Sequence, residues 1–271
     1  MFLAAAVQLT STSDAQGSVA AALAGVRRAA GFGAQLICTP ENTNFLGPHA
    51  DKVARAEPID GPTVAAFADA ARASGVHILL GSFNERSPDP TRCYNTSVLL
   101  GPDGATLGVY RKLHLFDVDV DPDTRFKESD TVVPGDDVVV VDTALGRIGL
   151  TICYDLRFPE LYRALVDAGA EIITIPAAFT ATTGKDHWHT LVRARAIETQ
   201  TWVIAPGQSG RHDDGGLRQS YGHSMIVDPW GQVVAMAPDG PGLALAEVDL
   251  ARVRRVRGQI PVQQHRRLRP C

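Results

Sequence analysis

Strand-like apolar runs alternate with helix-like segments through most of the chain, and this alternation limits the possible folds more than any other feature. The first pair is the apolar run FLAAAVQLT and the amphipathic segment DAQGSVAAALAGVRRAAGFG, in which Asp14 stands at the predicted helix start. Later strand-like runs are AQLICTPEN, VHILLGSF, EIITIP and TWVIAP, and later helix-like segments are GPTVAAFADAARASG, FPELYRALVDAGA and KDHWHTLVRARAIETQ. Since several runs are apolar on both faces, the pattern favours an α/β fold with mixed sheets covered by helices.

Hairpins and one long loop complete the predicted organisation. NTSVLLGPDGATLGVYRK and DVVVVDTALGRIGLTI are predicted hairpins, and YGHSMIVDPWGQVVAMAPDGPGLALAEVDL is predicted to be a closing meander with a turn at DPWG. The polar segment from Leu113 to Val133 is predicted to be irregular, and a loop of that length in a compact domain usually serves function. No stretch resembles a linker, a repeat or a low-complexity segment, so residues 1–271 are predicted to form a single domain.

Composition and charge argue against several classes of protein. The net charge of the 271 residues is −4, which gives no general attraction to nucleic acid or anionic membranes. The C-terminal stretch ARVRRVRGQIPVQQHRRLRP holds seven arginines, but its interleaved Val and Ile favour a solvated or intersubunit face over a nucleic-acid arm. The N-terminus lacks a basic n-region, and no apolar run approaches the roughly 18 residues that span a bilayer. We therefore expect a cytoplasmic protein that binds neither nucleic acid nor membranes.

Metal and cofactor motifs are not found in the sequence. The four cysteines, Cys38, Cys93, Cys153 and Cys271, form no CxxC pair and no zinc pattern, and we expect them to be reduced. The segment GFGAQL follows a helix instead of preceding one and lacks the third glycine of a dinucleotide fingerprint. His187 and His189 point about 200° apart on a helix, so they cannot share a metal ion. The sequence therefore predicts no metal and no cofactor.

Three apolar runs end in a reactive side chain, after which the chain turns. The side chains are Glu41 in LICTPEN, Lys112 in LGVYRKLHLF and Cys153 in GLTICYD. Taken singly, Glu41 could cap a turn, Lys112 could be a solvated charge and Cys153 could be a small buried hydrophobic residue. Together they form a possible catalytic set, because a carboxylate can take the thiol proton and an ammonium group can stabilise an oxyanion.

The segments that carry these residues resemble the three catalytic blocks of the nitrilase superfamily of carbon–nitrogen hydrolases. The blocks are TPEN, YRKLHLFDVD and ICYDLRFPELYR, and the resemblance continues through GAEIITIPAAFTATTGKDHWHTLVRARAIETQ, SYGHSMIVDPWG and IPVQQHRR. It covers nearly the whole chain. The fold that it implies is an α/β four-layer αββα sandwich, and members of the family usually pair through helices. We therefore expect a homodimer or larger homo-oligomer, with residues from about 250 to 271 at the subunit interface.

The resemblance also implies a role for each matched residue. Glu41 would be the general base, Lys112 the oxyanion-stabilising cation and Cys153 the nucleophile of an amidase that forms a thioacyl-enzyme. Glu128 in RFKESD would orient Lys112 and the substrate amide. The backbone N–H of Tyr154 would complete the oxyanion hole. A non-catalytic binding protein with this fold would be expected to have lost at least one of these positions, and all of them are present.

Within the superfamily, the chain most resembles the branch that contains deaminated-glutathione amidase and ω-amidase. The resemblance implies hydrolysis of a small 2-oxo-acid amide, with deaminated glutathione as first choice and 2-oxoglutaramate, 2-oxosuccinamate, another small amide or a nitrile as alternatives. Arg157 is the natural bidentate partner for the 2-oxo-carboxylate, unless it pairs with a structural carboxylate. Phe179 and Thr183 match family positions that line the pocket. His189, in place of the glutamate of several relatives, and the short C-terminus are expected to alter the far end of that pocket.

Overall fold

The computed structural model describes residues 1–121, 124–212 and 218–268, and its core consists of two six-stranded sheets. The first sheet contains β1 (Phe2–Gln8), β2 (Ala34–Cys38), β3 (His77–Arg86), β4 (Cys93–Leu100), β5 (Thr106–Arg111) and β16 (Gly242–Val248). The second contains β8 (Val140–Thr143), β9 (Gly146–Leu150), β10 (Ile172–Thr174), β11 (Trp202–Ala205), β14 (Met225–Val227) and β15 (Val233–Met236). Two small hairpins lie outside them, β6 (Asp117–Asp121) with β7 (Thr124–Lys127) and β12 (Ser209–Arg211) with β13 (Gln219–Tyr221).

Helices cover the outer faces of both sheets. The helices are α1 (Ala15–Gly31), α2 (His49–Ala54), α3 (Pro62–Ser74), α4 (Pro159–Asp167), α5 (Ala181–Thr199), α6 (Leu250–Gln259) and α7 (Val262–His265). Of these, α1 and α3 cover the first sheet, and α4 and α5 cover the second. As predicted, Asp14 caps α1, and its carboxylate accepts a hydrogen bond from the Gly17 amide at 3.1 Å. None of the helices in the described ranges is both long and apolar enough to cross a membrane.

Alternation along β1 shows how the layers are formed. Ala5 and Val7 pack in one apolar cluster with the buried faces of α1 and α3, whereas Ala4 and Ala6 pack in the other, with the second sheet. Period-2 alternation places these pairs on opposite faces of the sheet. The second cluster continues through β9, β10 and β11 to the buried faces of α4 and α5. The order of layers is therefore helix, sheet, sheet, helix, and the predicted αββα sandwich is confirmed.

In both sheets, parallel strands lie next to each other in the centre. In the first sheet the strand order is β16-β1-β2-β3-β4-β5, with β1, β2 and β3 parallel. In the second it is β15-β14-β11-β10-β9-β8, with β9, β10 and β11 parallel. The carboxyl ends of neighbouring parallel strands lie at the same edge, which is where α/β folds place ligands. The turns after β2 and β9 reach one common region through this arrangement.

The structure differs from the sequence-based prediction at two places. The last strand of the predicted closing meander, β16, leaves the second sheet and pairs antiparallel with β1, where it covers an otherwise open edge of the first sheet. The predicted irregular segment 113–133 contains the β6–β7 hairpin and a 3₁₀ turn, Glu128–Asp130. Cys271 and the last residues of the C-terminal arginine-rich stretch lie outside the described residues. The same holds for the end of GRHDD, residues 210–214, which also resembles the family.

Candidate active site

One cavity of about 550 Å³ lies beyond the ends of β2, β5 and β9. All eight site residues predicted from the sequence line it: Glu41, Lys112, Glu128, Cys153, Tyr154, Arg157, Phe179 and Thr183. Glu41 and Lys112 follow strands of the first sheet, and Cys153 follows a strand of the second. The cavity therefore lies between the two halves of the sandwich, and both halves contribute reactive groups.

Lys112 is at the centre of the charged groups. Its ammonium group donates to Glu41 Oε1 at 2.8 Å and to Glu128 Oε2 at 2.9 Å, and all three side chains are buried. Burial alone would lower the pKa of Lys112, but the charges of Glu128 and Glu41 outweigh burial and hold this pKa well above its ordinary value. Lys112 is therefore a permanent cation at this position.

Glu128 is held by Lys112 and by the backbone. Burial would raise its pKa, but the charges of Lys112 and Lys52 lower it to about 2. The Phe116 amide also donates to Glu128 Oε2 at 2.7 Å, which favours the ionised carboxylate. Glu128 is therefore an anion throughout the physiological range of pH.

Glu41 is fixed by contacts from both sheets. Its Oε1 accepts from Lys112 and from Asn95 Nδ2 at 2.9 Å, and its Oε2 accepts from the Ala178 amide, beyond β10, at 2.8 Å. The loop that carries Glu41 lies very close to β3, since a Cβ at Gly81 would overlap the carbonyl oxygen of Thr39. Only glycine at position 81 permits the loop to lie this close to β3. The loop thereby places the Glu41 carboxylate against the second sheet.

Cys153 occupies a strained turn at the start of a 3₁₀ segment, Cys153–Arg157. Its φ is 48°, a left-handed conformation that is unfavourable for a residue with a side chain and that is frequent at active sites. Its amide donates to the Pro176 carbonyl at 2.8 Å, and the residue is 7% exposed, towards the cavity. Burial and the charge and hydrogen bond of Glu41 raise the pKa of the thiol, against an opposing effect of Lys112. The resting group is therefore a protonated thiol that lines the same cavity as the Glu41 carboxylate.

Two buried polar residues that the sequence interpretation did not include organise this arrangement. Asn95, in β4, donates to both Glu41 Oε1 and Glu128 Oε1, the latter at 3.2 Å. Asp155 accepts from Tyr110 Oη at 2.6 Å, from the Ile152 amide at 2.8 Å and from the backbone and ring of His114. Asp155 thus joins the turn after β5, which carries Lys112, to the turn that carries Cys153. The polar stretch YNTS in an otherwise apolar strand was the available signal for Asn95.

Replacing Asp155 with asparagine is expected to destabilise the protein and to reduce its activity. The side-chain NH₂ group of the new asparagine would face groups that donate hydrogen bonds to the Asp155 carboxylate. These buried donors would lose their acceptor, which costs about 2–3 kcal/mol of unfolding free energy. Chemical denaturation measures this loss. Asp142→Asn is the matched control, because Asp142 is exposed and, among the described residues, its side chain pairs only with Arg147. Its effect should stay within about 0.5 kcal/mol. Equal stability of the two variants would contradict the organising role of Asp155.

Aromatic rings form one wall of the cavity. The Phe116 ring lies 5.5 Å from that of Phe126 and 5.1 Å from that of Tyr154. Arg157 lies over Tyr154 and Phe179, at 5.9 and 5.0 Å from the ring centroids, and its Nη1 is 3.3 Å from His187 Nδ1. Within the described ranges Arg157 makes no ion pair with a carboxylate, so its charge is available to the cavity.

The two histidines of the HWH stretch contact different parts of the structure. His187 contacts Arg157, whereas the His189 ring lies 6.1 Å from Tyr221 and 5.7 Å from His223, so the two histidines diverge as the helical spacing predicts. Across the residues that the structure describes, no three His, Cys, Asp or Glu side chains are grouped to hold a metal ion. The chemistry of the cavity is that of a thiol, two carboxylates and nearby cations.

Comparison with known proteins agrees with this fold. The carbon–nitrogen hydrolase family matches residues 3–258, so the chain belongs to that family and is a hydrolase of the nitrilase superfamily. Among curated proteins it is 46% identical to human deaminated glutathione amidase, over 98% of this chain and 82% of the human protein. It is 43% identical to the deaminated glutathione amidase of Synechocystis sp., over 98% of each. The crystal structure of Saccharomyces cerevisiae Nit3, a member of branch 10 of the nitrilase superfamily, superimposes with a TM-score of 0.88 at 31% identity, over 98% of this chain and 97% of that one.

Proposed function

We propose that this chain is an amidase that hydrolyses deaminated glutathione to 2-oxoglutarate and Cys-Gly, with Cys153 as nucleophile. The observation that carries the proposal is the buried contact of Lys112 with both Glu41 and Glu128, beside Cys153 in one cavity. The similarity to deaminated glutathione amidases over nearly the full chain supports the choice of substrate.

Acylation is the first half of the proposed reaction. Cys153 Sγ attacks the amide carbonyl carbon as its proton passes to Glu41, and the carbonyl oxygen becomes an oxyanion that Lys112 and the Tyr154 N–H stabilise. Glu41 then gives the proton to the amide nitrogen, the C–N bond breaks, and Cys-Gly leaves. Because the raised pKa of Cys153 keeps the resting thiol protonated, a base is needed at this step, and Glu41 lines the same cavity and can serve.

Deacylation returns the enzyme to its starting state. Glu41 removes a proton from water, the hydroxide attacks the thioester carbonyl, and the C–S bond breaks. The departing sulfur takes the proton back from Glu41, and 2-oxoglutarate is released. Lys112 and Glu128 keep their charges throughout. Lys112 positions Glu41 and stabilises the two oxyanions, whereas Glu128 holds Lys112 in place, and no step requires a metal or cofactor.

Arg157 is proposed to bind the 2-oxo-carboxylate of the substrate. It lies over the rings of Tyr154 and Phe179 at the edge of the cavity, and a planar guanidinium group is suited to bidentate contact with a carboxylate. Phe179 and Thr183 line the same part of the cavity. This end of the cavity would hold the acyl part of any 2-oxo-acid amide, so Arg157 alone does not distinguish between substrates of that class.

A side-by-side kinetic assay tests the substrate. We expect kcat/KM for deaminated glutathione to exceed kcat/KM for 2-oxoglutaramate, measured by release of 2-oxoglutarate from both. The same acyl group is transferred in each case, so the comparison isolates the amine side of the amide. A large preference for 2-oxoglutaramate would reassign the chain to ω-amidase activity, and activity on neither would reject the proposal.

We further propose a cytoplasmic homodimer or larger homo-oligomer. Large apolar side chains are exposed on the face formed by α5 and the β14–β15 turn, namely Ile197 at 50% and Trp230 at 51%. Met236, at the end of β15, and Ile260, just beyond α6, are also exposed. Exposed apolar groups of this kind are typical of subunit interfaces. The C-terminal segment from about residue 250 is proposed to lie in this interface.

Sedimentation equilibrium is expected to give a multiple of the chain mass of 28.9 kDa. A mass equal to one chain would contradict the proposed assembly.

A further inference from the structure

Two of the four lysines of the chain line the active-site cavity, and the proposed mechanism uses only Lys112. The second is Lys52, which belongs to α2 and is 2% exposed. Lys112 is held by two carboxylates, but across the described part of the chain the Lys52 ammonium group has no hydrogen-bond or ion-pair partner. A buried ammonium group without a partner is unfavourable, and such groups in cavities are typically matched by a bound anion.

Lys52 lies on the side of the cavity where the carboxylates are. Burial and the charge of Arg218 lower the pKa of Lys52, and the nearby charges of Glu128 and Glu41 oppose this decrease without cancelling it. His49, one turn earlier on α2, lines the same region, and its pKa is lowered to about 3 by burial and by the charges of Arg218 and Lys52. Lys52 and Arg218 therefore make this side of the cavity electropositive next to Glu128.

The aromatic wall separates this side from Arg157. Arg218 lies 5.0 Å over the ring of Phe126, which contacts Phe116, which in turn contacts Tyr154, and Arg157 lies over Tyr154. The two guanidinium groups thus lie over opposite ends of one row of three rings. The cavity lining therefore has a cationic group at each end of this row of rings, and Cys153 belongs to the same lining.

The proposed chemistry determines which part of the substrate reaches each end. Arg157 is placed to take the acid end of the acyl group. Glu41 must lie next to the amide nitrogen, because it gives that nitrogen a proton as the amine leaves. The atoms attached to the nitrogen therefore extend past Glu41 and Glu128, towards Lys52.

We propose that Lys52 binds the terminal carboxylate of the leaving amine, and that it thereby selects amides of amino acids or dipeptides over primary amides. The inference rests on the proposed amidase function and adds the residue that recognises the amine side. Deaminated glutathione ends in the glycine carboxylate of Cys-Gly, whereas 2-oxoglutaramate has only an NH₂ group at that position. The attraction between an ammonium group and a carboxylate is strongest when both are buried together away from water.

The test compares deaminated glutathione with its C-terminal carboxamide, which differs only in the charge of that end. For the unsubstituted protein we expect kcat/KM to be roughly 10- to 100-fold higher for the carboxylate, the range of a charged hydrogen bond. In Lys52→Met, which keeps the length and apolar stem, this ratio should fall close to one. Lys127→Met is the matched control, because Lys127 carries the same charge, is exposed and pairs with Asp130; its ratio should equal that of the unsubstituted protein.

The outcomes distinguish recognition of the substrate carboxylate by Lys52 from a role of Lys52 that is only electrostatic. If Lys52 only balanced the charges of Glu41 and Glu128, Lys52→Met would slow both substrates equally, and the unchanged ratio would overturn the inference. A ratio near one in the unsubstituted protein would overturn it too, while leaving the amidase function intact. If the unsubstituted protein hydrolysed neither substrate, the proposed function would fail and the inference with it. Lys52→Gln replaces Lys52→Met if circular dichroism shows that the methionine variant does not fold.

Discussion

Replacing Cys153 with alanine is expected to lower kcat/KM for deaminated glutathione by on the order of 10⁴-fold or more and to leave the fold intact. The thiol is the only group in the proposed mechanism that forms a covalent bond to the substrate. Its backbone amide, bound to Pro176, would remain in place. Steady-state kinetics measures the loss, and thermal unfolding checks that the variant is folded.

Cys38→Ala is the matched control for this change. Cys38 is buried in β2, so the same atom is removed from a packed position that does not line the cavity. We expect a decrease in stability of about 1 kcal/mol, from the small cavity that is created, and unchanged kcat/KM. Normal amide hydrolysis by a folded Cys153→Ala protein would rule out Cys153 as nucleophile.

Replacing Lys112 with methionine is expected to cost both activity and stability. The two carboxylates of Glu41 and Glu128 would remain buried beside each other without their shared cation, which costs about 3–5 kcal/mol of unfolding free energy. Loss of one oxyanion-stabilising group should lower kcat by roughly 10²–10³-fold, and displacement of Glu41 should add to this. Urea unfolding and steady-state kinetics measure the two effects.

A second substitution separates these two effects of Lys112. Adding Glu128→Gln to Lys112→Met removes one of the unpaired carboxylates, so the double variant should regain part of the lost stability while its activity stays low. Lys127→Met serves again as control and should be close to the unsubstituted protein in both respects. If the double variant were no more stable than Lys112→Met, the buried charges would not be the cause of the destabilisation.

The sequence was sufficient to predict the layers of the fold and the residues that meet in the cavity. Periodicity placed the strands and helices, because a buried strand and an amphipathic helix each need a characteristic spacing of apolar residues. The same spacing predicted the divergence of His187 and His189. The convergence of Glu41, Lys112 and Cys153 came from the resemblance to a family, since three residues at the ends of different strands could have lain far apart. Their catalytic roles remain predictions.

Other features depend on contacts that no local pattern encodes. The position of β16 beside β1 depends on the open edge of the first sheet, 240 residues away in sequence, and the meander pattern gave no sign of it. Helix α2 has six residues, and its sequence has no recognisable periodicity. The burial of Lys52 could therefore not be predicted from the sequence. The sequence gives no sign of the role of Asp155, because its distant partners, Tyr110 and His114, come from β5 and from the turn after it. Buried polar residues are recognisable only once their partners are known.

The most direct test of the central claim is a search for the acyl group on Cys153. An activated ester of 2-oxoglutarate, with a nitrophenolate leaving group at the γ-carboxyl, should acylate rapidly, so hydrolysis of the thioacyl-enzyme becomes the slow step. We expect a burst of about one nitrophenolate per chain. After acid quenching, peptide mass spectrometry should find the 2-oxoglutaryl group on Cys153. No burst in the unsubstituted protein, or an acyl group on a residue other than Cys153, would contradict the central claim.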